Sequence, residues 1–345
     1  MKKIIMLFIV LSLFTCACNK KNTNDSESNV NKSNTVESKS NRSNDNKKEK
    51  NNYVSYNGNI ALKGNNIVNQ YDEIITLQGV SSHGIQWFNY LVTDENIKTL
   101  KSWGSNVFRL AMYTKEGGYL DNKNIYNDLI KDIDLVISND MYVIVDWHIL
   151  SDNNPNIYKK DAIEFFEKIS SKYKNTPNLI YEICNEPNGE TKWSDIKKYA
   201  KDVIATIRKN SNNIIIVGTP TWSQDVDSVI NNKLDDNNTM YSLHFYSGTH
   251  KEYLRDKAKK ALDNNVPIFV SEFGVSDASG NGGVYLDEAD KWIKFIKDNK
   301  LSFVNWSLAD KDESSALLKP NNKVIKDDAL SESGKYIKKI LKNSN

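Results

Sequence analysis

The sequence has 345 residues, a formal net charge of +2 and three cysteines. A chain of this length is compatible with one large domain. The first 52 residues hold ten Lys or Arg and five Asp or Glu, so their net charge of +5 leaves −3 for residues 53–345. This mildly acidic balance argues against nucleic-acid binding. Because Cys16 and Cys18 lie near the N-terminus, only Cys184 remains, which excludes an intrachain disulfide or a cysteine metal cage in the rest of the chain.

The first 17 residues are typical of an export signal. A short basic start precedes an apolar run, Ile4–Phe14, that is shorter than the roughly 20 residues of a membrane-spanning helix. Ala17-Cys18 resembles a bacterial lipobox, in which Cys18 is acylated and becomes the mature N-terminus. Thr15 and Ala17 also fit an ordinary small-x-small cleavage site. Both readings predict an extracellular protein, and the favoured lipobox predicts a lipid anchor on the cell membrane.

Residues 18–52 are predicted to form a disordered tether. From residue 19 onward they are nearly all Asn, Ser, Lys, Asp, Glu and Thr, with Val30 and Val36 the only aliphatic residues. Such a segment buries too little apolar surface to offset its ordering entropy. A flexible coil of this length reaches roughly 30 Å from its anchor. A low-complexity insertion without function is the alternative.

From residue 53 onward, apolar runs alternate with amphipathic stretches rich in Lys and Asp. Eight runs predict buried strands: Ile74–Val80, Asn106–Met112, Tyr142–Trp147, Leu179–Cys184, Ile214–Val217, Met240–Phe245, Ile268–Ser271 and Phe303–Trp306. The stretches that predict helices include Asn124–Asn139, Asp161–Tyr173, Asp195–Lys209, Glu252–Asn264 and Leu286–Asp298. Continuous apolar strands that alternate with helices indicate a parallel sheet covered by helices.

Eight strand–helix units within residues 53–345 predict an α/β fold, a single (β/α)8 TIM barrel. An open doubly wound sheet is the alternative, but no glycine-rich phosphate turn follows the first strand. Val54–Gln70 predicts a short N-terminal β-hairpin that covers the lower end of the barrel. The sequence predicts no internal repeat and no second folded module.

The active site of such a barrel is built at the C-terminal ends of its strands. The residues predicted at these ends are His83, Arg109, His148, Asn185, Glu186, Trp222, His244, Tyr246, Glu272 and Trp306. They include three of the four histidines of the chain. Histidines scattered over a surface would not concentrate in this way.

Glu186 and Glu272 follow strongly apolar strands. A carboxylate there costs desolvation energy unless partners compensate. Cleavage of a glycosidic bond requires such a pair, one carboxyl group to protonate the leaving oxygen and one carboxylate to attack the anomeric carbon. A structural ion pair with Arg109 is the alternative. Glu182 lies within a predicted strand and is interpreted as a residue of the barrel interior.

The chain resembles glycoside hydrolase family 5 and, within it, the bacterial endo-β-1,4-glucanase (cellulase) subfamily. The resemblance rests on segments that span the whole domain: Gly79–Trp87, Val107–Arg109, Asp146–His148, Asn185–Pro187, His244–Tyr246, Ser271–Gly274, Ser276–Gly283 and Asn305–Ser315. Asn-Glu-Pro alone is shared with other barrel glycosidases. Together with the Glu272 segment and the Asp277–Gly283 loop, it makes the match specific.

The resemblance implies that Glu186 is the general acid/base and Glu272 the nucleophile. The resemblance further implies that the two face each other at the roughly 5–5.5 Å that a retaining mechanism requires. Arg109 and Tyr246 are expected to hold Glu272 ionised, because a positive charge and a hydroxyl donor favour the carboxylate. The charge of Glu272 is in turn expected to raise the pKa of Glu186, which needs a proton to donate.

The resemblance also implies residues that contact the sugar. Asn185 is expected to bind the sugar 2-hydroxyl, and His148 and His244 to orient the sugar or Glu186. Tryptophans provide flat apolar surfaces for pyranose rings. The expected binding residues are His83, Trp87, Phe88, Tyr113, Trp222, Ala278, Ser279, Trp306, Lys311, Asp312 and Glu313. A solvated loop is the alternative reading of the last three.

The predicted function is endo-acting, retaining hydrolysis of β-1,4-glucan by a monomer that needs no metal or cofactor. A related barrel glycanase acting on mannan, xylan or xyloglucan is the first alternative. A non-catalytic sugar-binding lipoprotein is the second, but the presence of both glutamates disfavours it. A metal hydrolase is disfavoured because no His-Glu-x-x-His or similar ligand spacing occurs.

Overall fold

The computed structural model describes residues 53–343. The predicted signal, the tether up to residue 52 and Cys18 lie outside the described residues. None of the helices within residues 53–343 combines the length and the apolar character needed to span a membrane.

A short helix and a small antiparallel sheet precede the barrel. Helix α1 (Tyr53–Asn57) is followed by β1 (Ala61–Lys63), β2 (Asn66–Val68) and β3 (Ile74–Ile75). Gly64 takes a φ of +64° in the turn between β1 and β2, a conformation that favours glycine in tight hairpins. The predicted hairpin is therefore present, but a third strand joins it. The run Ile74–Val80, predicted as the first barrel strand, therefore contains β3 and only the beginning of that barrel strand, which starts at Gln78.

Eight parallel strands close the barrel, and each pairs with the next in chain order until the last pairs with the first. They are β4 (Gln78–Ser82), β5 (Val107–Tyr113), β6 (Tyr142–His148), β7 (Leu179–Glu182), β8 (Ile215–Val217), β9 (Thr239–Tyr246), β10 (Ile268–Gly274) and β11 (Ser302–Leu308). The predicted (β/α)8 barrel is confirmed.

Helices surround the barrel. They are α2 (Ile85–Phe88), α3 (Asp94–Ser102), α4 (Ile125–Ser138), α5 (Lys159–Lys172), α6 (Trp193–Arg208), α7 (Pro220–Ser223), α8 (Glu252–Asp263), α9 (Leu286–Asp298) and α10 (Glu332–Lys342), with short 3₁₀ turns at Asn89–Leu91 and Val226–Val229. Their buried faces pack on the outward-facing side chains of the strands. The five helices predicted explicitly are present within two residues at each end.

A second apolar cluster fills the lower barrel. Inward-facing side chains such as Ile180 and Phe269 meet Val54, Ile60 and Ile67 of the N-terminal elements. The small sheet therefore closes the lower end of the barrel, which leaves the opposite end for the site.

The regular pairing of β10 breaks beside Glu272. Its register with β9 shifts between Phe269 and Glu272, and its register with β11 shifts between Val270 and Phe273. In a regular strand successive side chains point to opposite faces. The irregularity lets the consecutive residues Ser271 and Glu272 both make their contacts inside the barrel.

Candidate active site

The C-terminal ends of the strands surround an open cleft of about 650 Å³. The predicted residues that line it are His83, Trp87, Tyr113, His148, Glu186, Trp222, His244, Tyr246, Glu272, Ala278, Ser279, Trp306, Lys311 and Glu313. Arg109 and Asn185 are fully buried and lie outside this lining. Arg109 is the third residue of β5 rather than its last, so it lies deeper than the sequence prediction placed it.

Arg109 is the centre of a buried network of charges. Its guanidinium donates hydrogen bonds to Glu182 at 2.7 Å, to Glu272 at 3.1 Å and to the side-chain oxygen of Asn185 at 2.6 Å. Its Nη2 atom is also 3.0 Å from Asp146 Oδ2. Burial disfavours the charge of Arg109, but the three carboxyl groups outweigh that effect and raise its pKa. The network supports the side chains of the cleft from below.

Glu272 is positioned by two donors. Its Oε2 accepts from Arg109 at 3.1 Å, and its Oε1 accepts from the Tyr246 hydroxyl at 2.8 Å. These two hydrogen bonds fix the orientation of the Glu272 carboxyl group. Gly274 allows Tyr246 to lie against β10, since a Cβ there would come within 2.3 Å of the tyrosine ring.

Glu186 faces Glu272 and is paired with His244. Glu186 Oε1 is 2.8 Å from His244 Nδ1, and the Glu186 side chain retains 12% of its exposure toward the cleft. One oxygen of Glu186 lies within 4.8 Å of one oxygen of Glu272. Gly218, directly after β8, lies against the segment that carries Glu186, because a Cβ at that position would lie 2.2 Å from the Cys184 carbonyl oxygen.

The environment raises the pKa of both Glu186 and His244. Burial and the Glu272 charge raise the pKa of Glu186, against the opposing effect of His244. Burial disfavours the charge of His244, but Glu272 and the neighbouring carboxyl groups of Glu182 and Glu186 raise its pKa to about 10. Glu186, His244 and Glu272 are close enough together to share a cation. A doubly protonated imidazole, however, has no lone pair for a metal.

His148 supports Asn185 rather than Glu186. His148 Nδ1 is 2.6 Å from Asp146 Oδ2, and its Nε2 is 3.2 Å from the Asn185 amide nitrogen. Burial and the nearby Arg109 charge lower the pKa of His148 well below its ordinary value. A neutral ring with its proton on Nδ1 therefore accepts a hydrogen bond from Asn185. Asn185 is held between His148 and Arg109.

Aromatic rings form one wall of the cleft. The Trp306 ring lies 4.9 Å from that of His83 and 5.3 Å from that of His148. Tyr113 stacks on His148 at 4.1 Å, and Trp87 meets Tyr113 at 5.0 Å. Trp87 is 45% exposed whereas Trp306 is 7% exposed, so this wall runs from a deep ring to an open one.

Trp222 stands on another side of the cleft, on an unusual turn. Thr221, Trp222 and Ser223 have φ values of +58°, +54° and +56°, and such left-handed residues are individually disfavoured. Hydrogen bonds hold the turn: Ser223 Oγ donates to the Asn185 carbonyl oxygen at 2.7 Å, and Trp222 N donates to that of Pro187 at 3.0 Å. The turn is thus tied to the segment that carries Glu186.

Two loops complete the cleft, and two predicted binding residues fall outside its lining. The loop with Ala278 and Ser279 meets the loop with Lys311 and Glu313, and Ser315 N donates to the Gly280 carbonyl oxygen at 2.9 Å.

Phe88 is half-buried beneath His83, with ring centroids 4.9 Å apart. Asp312 is exposed. The structure brings neither Phe88 nor Asp312 to the cleft surface.

Sequence reasoning missed several side chains around the site. Asp146 and Ser271 belong to the buried network, and Glu182 has a larger part in it than an interior position alone suggested. The unpredicted residues of the cleft lining are Glu116, Leu150, Gln224, His250 and Gly280. Glu116, Gln224 and His250 follow strands β5, β8 and β9, so extending the search a few residues beyond each strand end finds them.

Comparison with known proteins agrees with this architecture. The family model described as Cellulase (glycosyl hydrolase family 5) matches residues 68–312. Among solved structures, Cellulase Cel5C_n is 47% identical with a TM-score of 0.81 and covers 84% of this chain and 93% of that one. The catalytic domain of Thermobifida fusca endoglucanase Cel5A, in complex with cellotetraose, is 31% identical with a TM-score of 0.81 and covers 84% and 98%.

Curated relatives extend the match. An endoglucanase of Clostridium saccharobutylicum is 49% identical over 298 residues, which cover 84% of this chain and 66% of the relative. Endoglucanase A of Evansella cellulosilytica is 53% identical over 250 residues, which cover 71% and 51%. The chain thus spans between half and two thirds of the length of these relatives.

An eight-stranded barrel with two carboxyl groups across its C-terminal mouth is an architecture of barrel glycosidases. The chain belongs to glycoside hydrolase family 5.

Proposed function

We propose that this chain is an endo-acting β-1,4-glucanase that works with retention of configuration. The observation that carries the proposal is the pair of glutamates across the cleft, with oxygens of Glu186 and Glu272 within 4.8 Å. Retaining glycosidases place their two carboxyl groups about 5–5.5 Å apart, whereas inverting enzymes leave a wider gap for water. Nearest oxygens within 4.8 Å agree with the smaller of these separations and so with two successive displacements.

In the first half-reaction Glu272 is the nucleophile. Its carboxylate, held by Arg109 and Tyr246, attacks the anomeric carbon and forms a glycosyl ester while the glycosidic bond breaks. Glu186 donates its proton to the departing oxygen. Its raised pKa keeps that proton available at working pH, and the His244 donor stabilises the carboxylate left behind.

In the second half-reaction Glu186 acts as base. The ester neutralises the charge of Glu272, so the influence that raised the pKa of Glu186 is relieved. Glu186 then takes a proton from water, the hydroxyl group attacks the anomeric carbon, and Glu272 leaves as the carboxylate. The anomeric configuration is inverted twice and thus retained.

The cleft favours a flat glucan chain. Trp306 and Trp222 occupy different walls, and a ribbon of pyranose rings packs its C–H faces on indole surfaces. We assign the sugar 2-hydroxyl to Asn185. Its amide nitrogen is 3.2 Å from His148 Nε2 and donates to the Ile149 carbonyl oxygen at 3.1 Å, so one of these bonds would exchange for a bond to the sugar. An axial 2-hydroxyl, as in mannose, would leave polar partners unpaired at a cost of roughly 1–3 kcal/mol each.

The names of the relatives support the same substrate. The curated relatives at 49% and 53% identity are named endoglucanases, and the Thermobifida fusca structure holds cellotetraose. A glycanase for mannan, xylan or xyloglucan is the competing proposal. Its supporting feature is the shared architecture alone, since barrels of this kind carry many specificities.

A substrate comparison at equal enzyme concentration tests the proposal. Carboxymethylcellulose and barley β-glucan should be cut faster than mannan or xylan, with a rapid fall in viscosity that marks internal cleavage. Proton NMR of the first products should show the β-anomer, and EDTA should leave the rate unchanged. Faster cleavage of mannan than of carboxymethylcellulose would overturn the substrate assignment, and an α-anomer would overturn retention.

We also propose that the protein is exported and held at the cell surface as a lipid-anchored monomer. The support is the N-terminal sequence, with its basic start, apolar run and Ala17-Cys18. Labelled palmitate should enter the wild-type protein, and Cys18→Ser should remove the label and release or misprocess the chain. An unlipidated mature protein that begins at Cys18 would contradict the anchor but not the export.

A further inference from the structure

We propose that Ser271, held by Glu182, is a positioning residue that keeps a proton on His244 Nε2 and so directs His244 Nδ1 to Glu186. The inference rests on the proposed function, because it assigns Glu186 as the acid/base. It concerns how the barrel interior controls that residue from the side remote from the substrate. Five hydrogen-bonded contacts support it.

The chain of contacts begins at Glu182. Its Oε2 accepts from Arg109 at 2.7 Å, and its Oε1 is 2.7 Å from Ser271 Oγ. Although burial opposes its charge, Arg109 and His244 lower the pKa of Glu182 to about 2. An ionised carboxylate only accepts hydrogen bonds. The single hydroxyl proton of Ser271 therefore points to Glu182.

The direction of that bond determines the next one. Ser271 Oγ, with its proton committed, has only acceptor capacity left, and His244 Nε2 lies 3.1 Å away. Ser242 Oγ, at 2.6 Å from Ser271 Oγ, is the other donor to the same oxygen. His244 Nε2 must therefore carry a hydrogen. A direct bond from His244 to Glu182 would not replace this arrangement, because those atoms are 3.8 Å apart.

With Nε2 protonated, His244 Nδ1 is left to face Glu186 Oε1 at 2.8 Å. When the ring carries its second proton, Nδ1 donates to Glu186 and the other oxygen of Glu186 holds the proton for the leaving group. When the second proton is absent, Nδ1 accepts the Glu186 proton and draws it away from the substrate. The imidazolium form is therefore the productive one in both half-reactions.

The surroundings of His244 favour that form. The charged and titratable groups around it are Asp146, Glu182, Glu186, Glu272, Arg109, His148 and His250. Burial lowers the pKa of His148 well below its ordinary value and that of His250 to about 4, so both neighbouring histidines are neutral. Ser271 provides the hydrogen-bonded link from His244 to the Glu182 charge.

The irregular pairing of β10 is what allows Ser271 to make these contacts. A regular β10 would turn Ser271 away when Glu272 faces the cleft, because successive side chains alternate. The register shift between Phe269 and Glu272 brings both inside. This break in pairing thus places two residues side by side: Glu272, the nucleophile, and Ser271, which positions His244, the partner of the acid/base.

The test compares Ser271→Ala with Ser271→Thr, which keeps the hydroxyl, and with Ser105→Ala. Ser105 is a buried serine that precedes β5 at the opposite end of the barrel. Loss of the imidazolium should weaken Glu186 as an acid. In Ser271→Ala, kcat/KM for cello-oligosaccharides should fall roughly tenfold. For an aryl cellobioside with an activated leaving group, kcat/KM should fall less than threefold. The alkaline limb of the pH–rate profile should move to a pH about half a unit or more higher. Ser271→Thr should restore the wild-type profile, and Ser105→Ala should retain it.

Nitrogen NMR of ¹⁵N-histidine protein gives a measurement that needs no turnover. His244 Nε2 should remain protonated across the pH range in the wild type and lose that preference in Ser271→Ala. Thermal melting establishes that each variant is folded. A wild-type His244 with Nδ1 as its only protonated nitrogen would overturn the proposal, as would a folded Ser271→Ala with an unchanged pH profile. An inactive wild type with the expected Nε2 proton would contradict the proposed function and leave the positioning of His244 standing.

Discussion

The floor of the cleft and its rim are built on different principles. The floor consists of Arg109 and the carboxyl groups of Asp146, Glu182 and Glu272, which are buried on strands and joined by charged contacts. The rim carries Trp87 and Trp222 on segments that follow strands, and these rings are 45% and 44% exposed. Side chains on the floor have one arrangement, because a buried charge without a partner strongly destabilises the folded state. Those on the rim are free to change with little effect on the fold.

The difference separates chemistry from substrate choice. Floor substitutions should reduce the rate of bond cleavage and, where charges are left unpaired, the stability of the domain. Rim substitutions should change the affinity for the polysaccharide and leave stability alone.

Glu272→Ala should abolish turnover of an activated aryl cellobioside, with a loss of roughly 10⁴-fold or more in kcat. Loss of the nucleophile leaves a space in which azide can attack from the same side of the sugar. Added azide should therefore restore part of the rate and give the inverted α-glycosyl azide, which NMR identifies. Labelling of another residue by a fluorosugar in the wild type would remove Glu272 as the nucleophile.

Arg109→Met should destabilise the domain by about 3–5 kcal/mol, because it leaves several buried carboxyl groups without their common partner. Urea unfolding followed by circular dichroism measures the change. Lys259→Ala is the matched control, since it removes one member of a solvent-exposed ion pair with Asp263. That control should change stability little. Equal effects of the two substitutions would contradict the distinction between floor and surface.

Asp132 is a buried carboxyl group whose hydrogen-bonded partner is an amide rather than a guanidinium. Asn89 donates to it at 2.6 Å, while burial and the neighbouring Asp128 raise its pKa from 3.8 to about 8. The folded state binds the proton more tightly than the unfolded state, so stability falls as the pH rises between these values. Asp132→Asn should remove this loss and stabilise the protein at pH 8 by about 1–3 kcal/mol.

Unfolding measured at pH 5 and pH 8 checks the sign. The wild type should lose more stability over this interval than Asp132→Asn, and the two curves should approach each other at low pH. Activity should be unaffected, because Asp132 lies on α4 outside the cleft lining. A larger benefit of the substitution at pH 5 than at pH 8 would contradict the raised pKa.

Trp222→Ala should lower kcat/KM for long cello-oligosaccharides by roughly 3- to 10-fold, mainly through KM, because it removes one stacking surface. The melting temperature should not fall, since the ring is 44% exposed. Tyr253→Ala is the control, an exposed aromatic side chain outside the cleft lining. A loss of stability in Trp222→Ala with unchanged KM would place this residue with the fold rather than with the rim.

The family resemblance already indicated most of the site, but the contacts required the fold. Asn185-Glu186-Pro187 and the Glu272 segment identified the two carboxyl groups because their short motifs are local in sequence. Asp146 and Ser271 lie in two other matching segments, but the motifs gave neither residue a role. Their contacts join residues far apart in the chain, as in the bond between Ser271 and Glu182.

The sequence by itself determined the barrel, since eight apolar runs separated by amphipathic stretches have few other ways to bury their surface. It also determined which residue types lie at the strand ends. Only the tertiary structure decided that β3 leaves the barrel, that Arg109 lies below the cleft and that Phe88 packs beneath His83. It alone placed Ser271 and Glu272 inside together, because strand register and the direction of a side chain depend on the neighbouring strands.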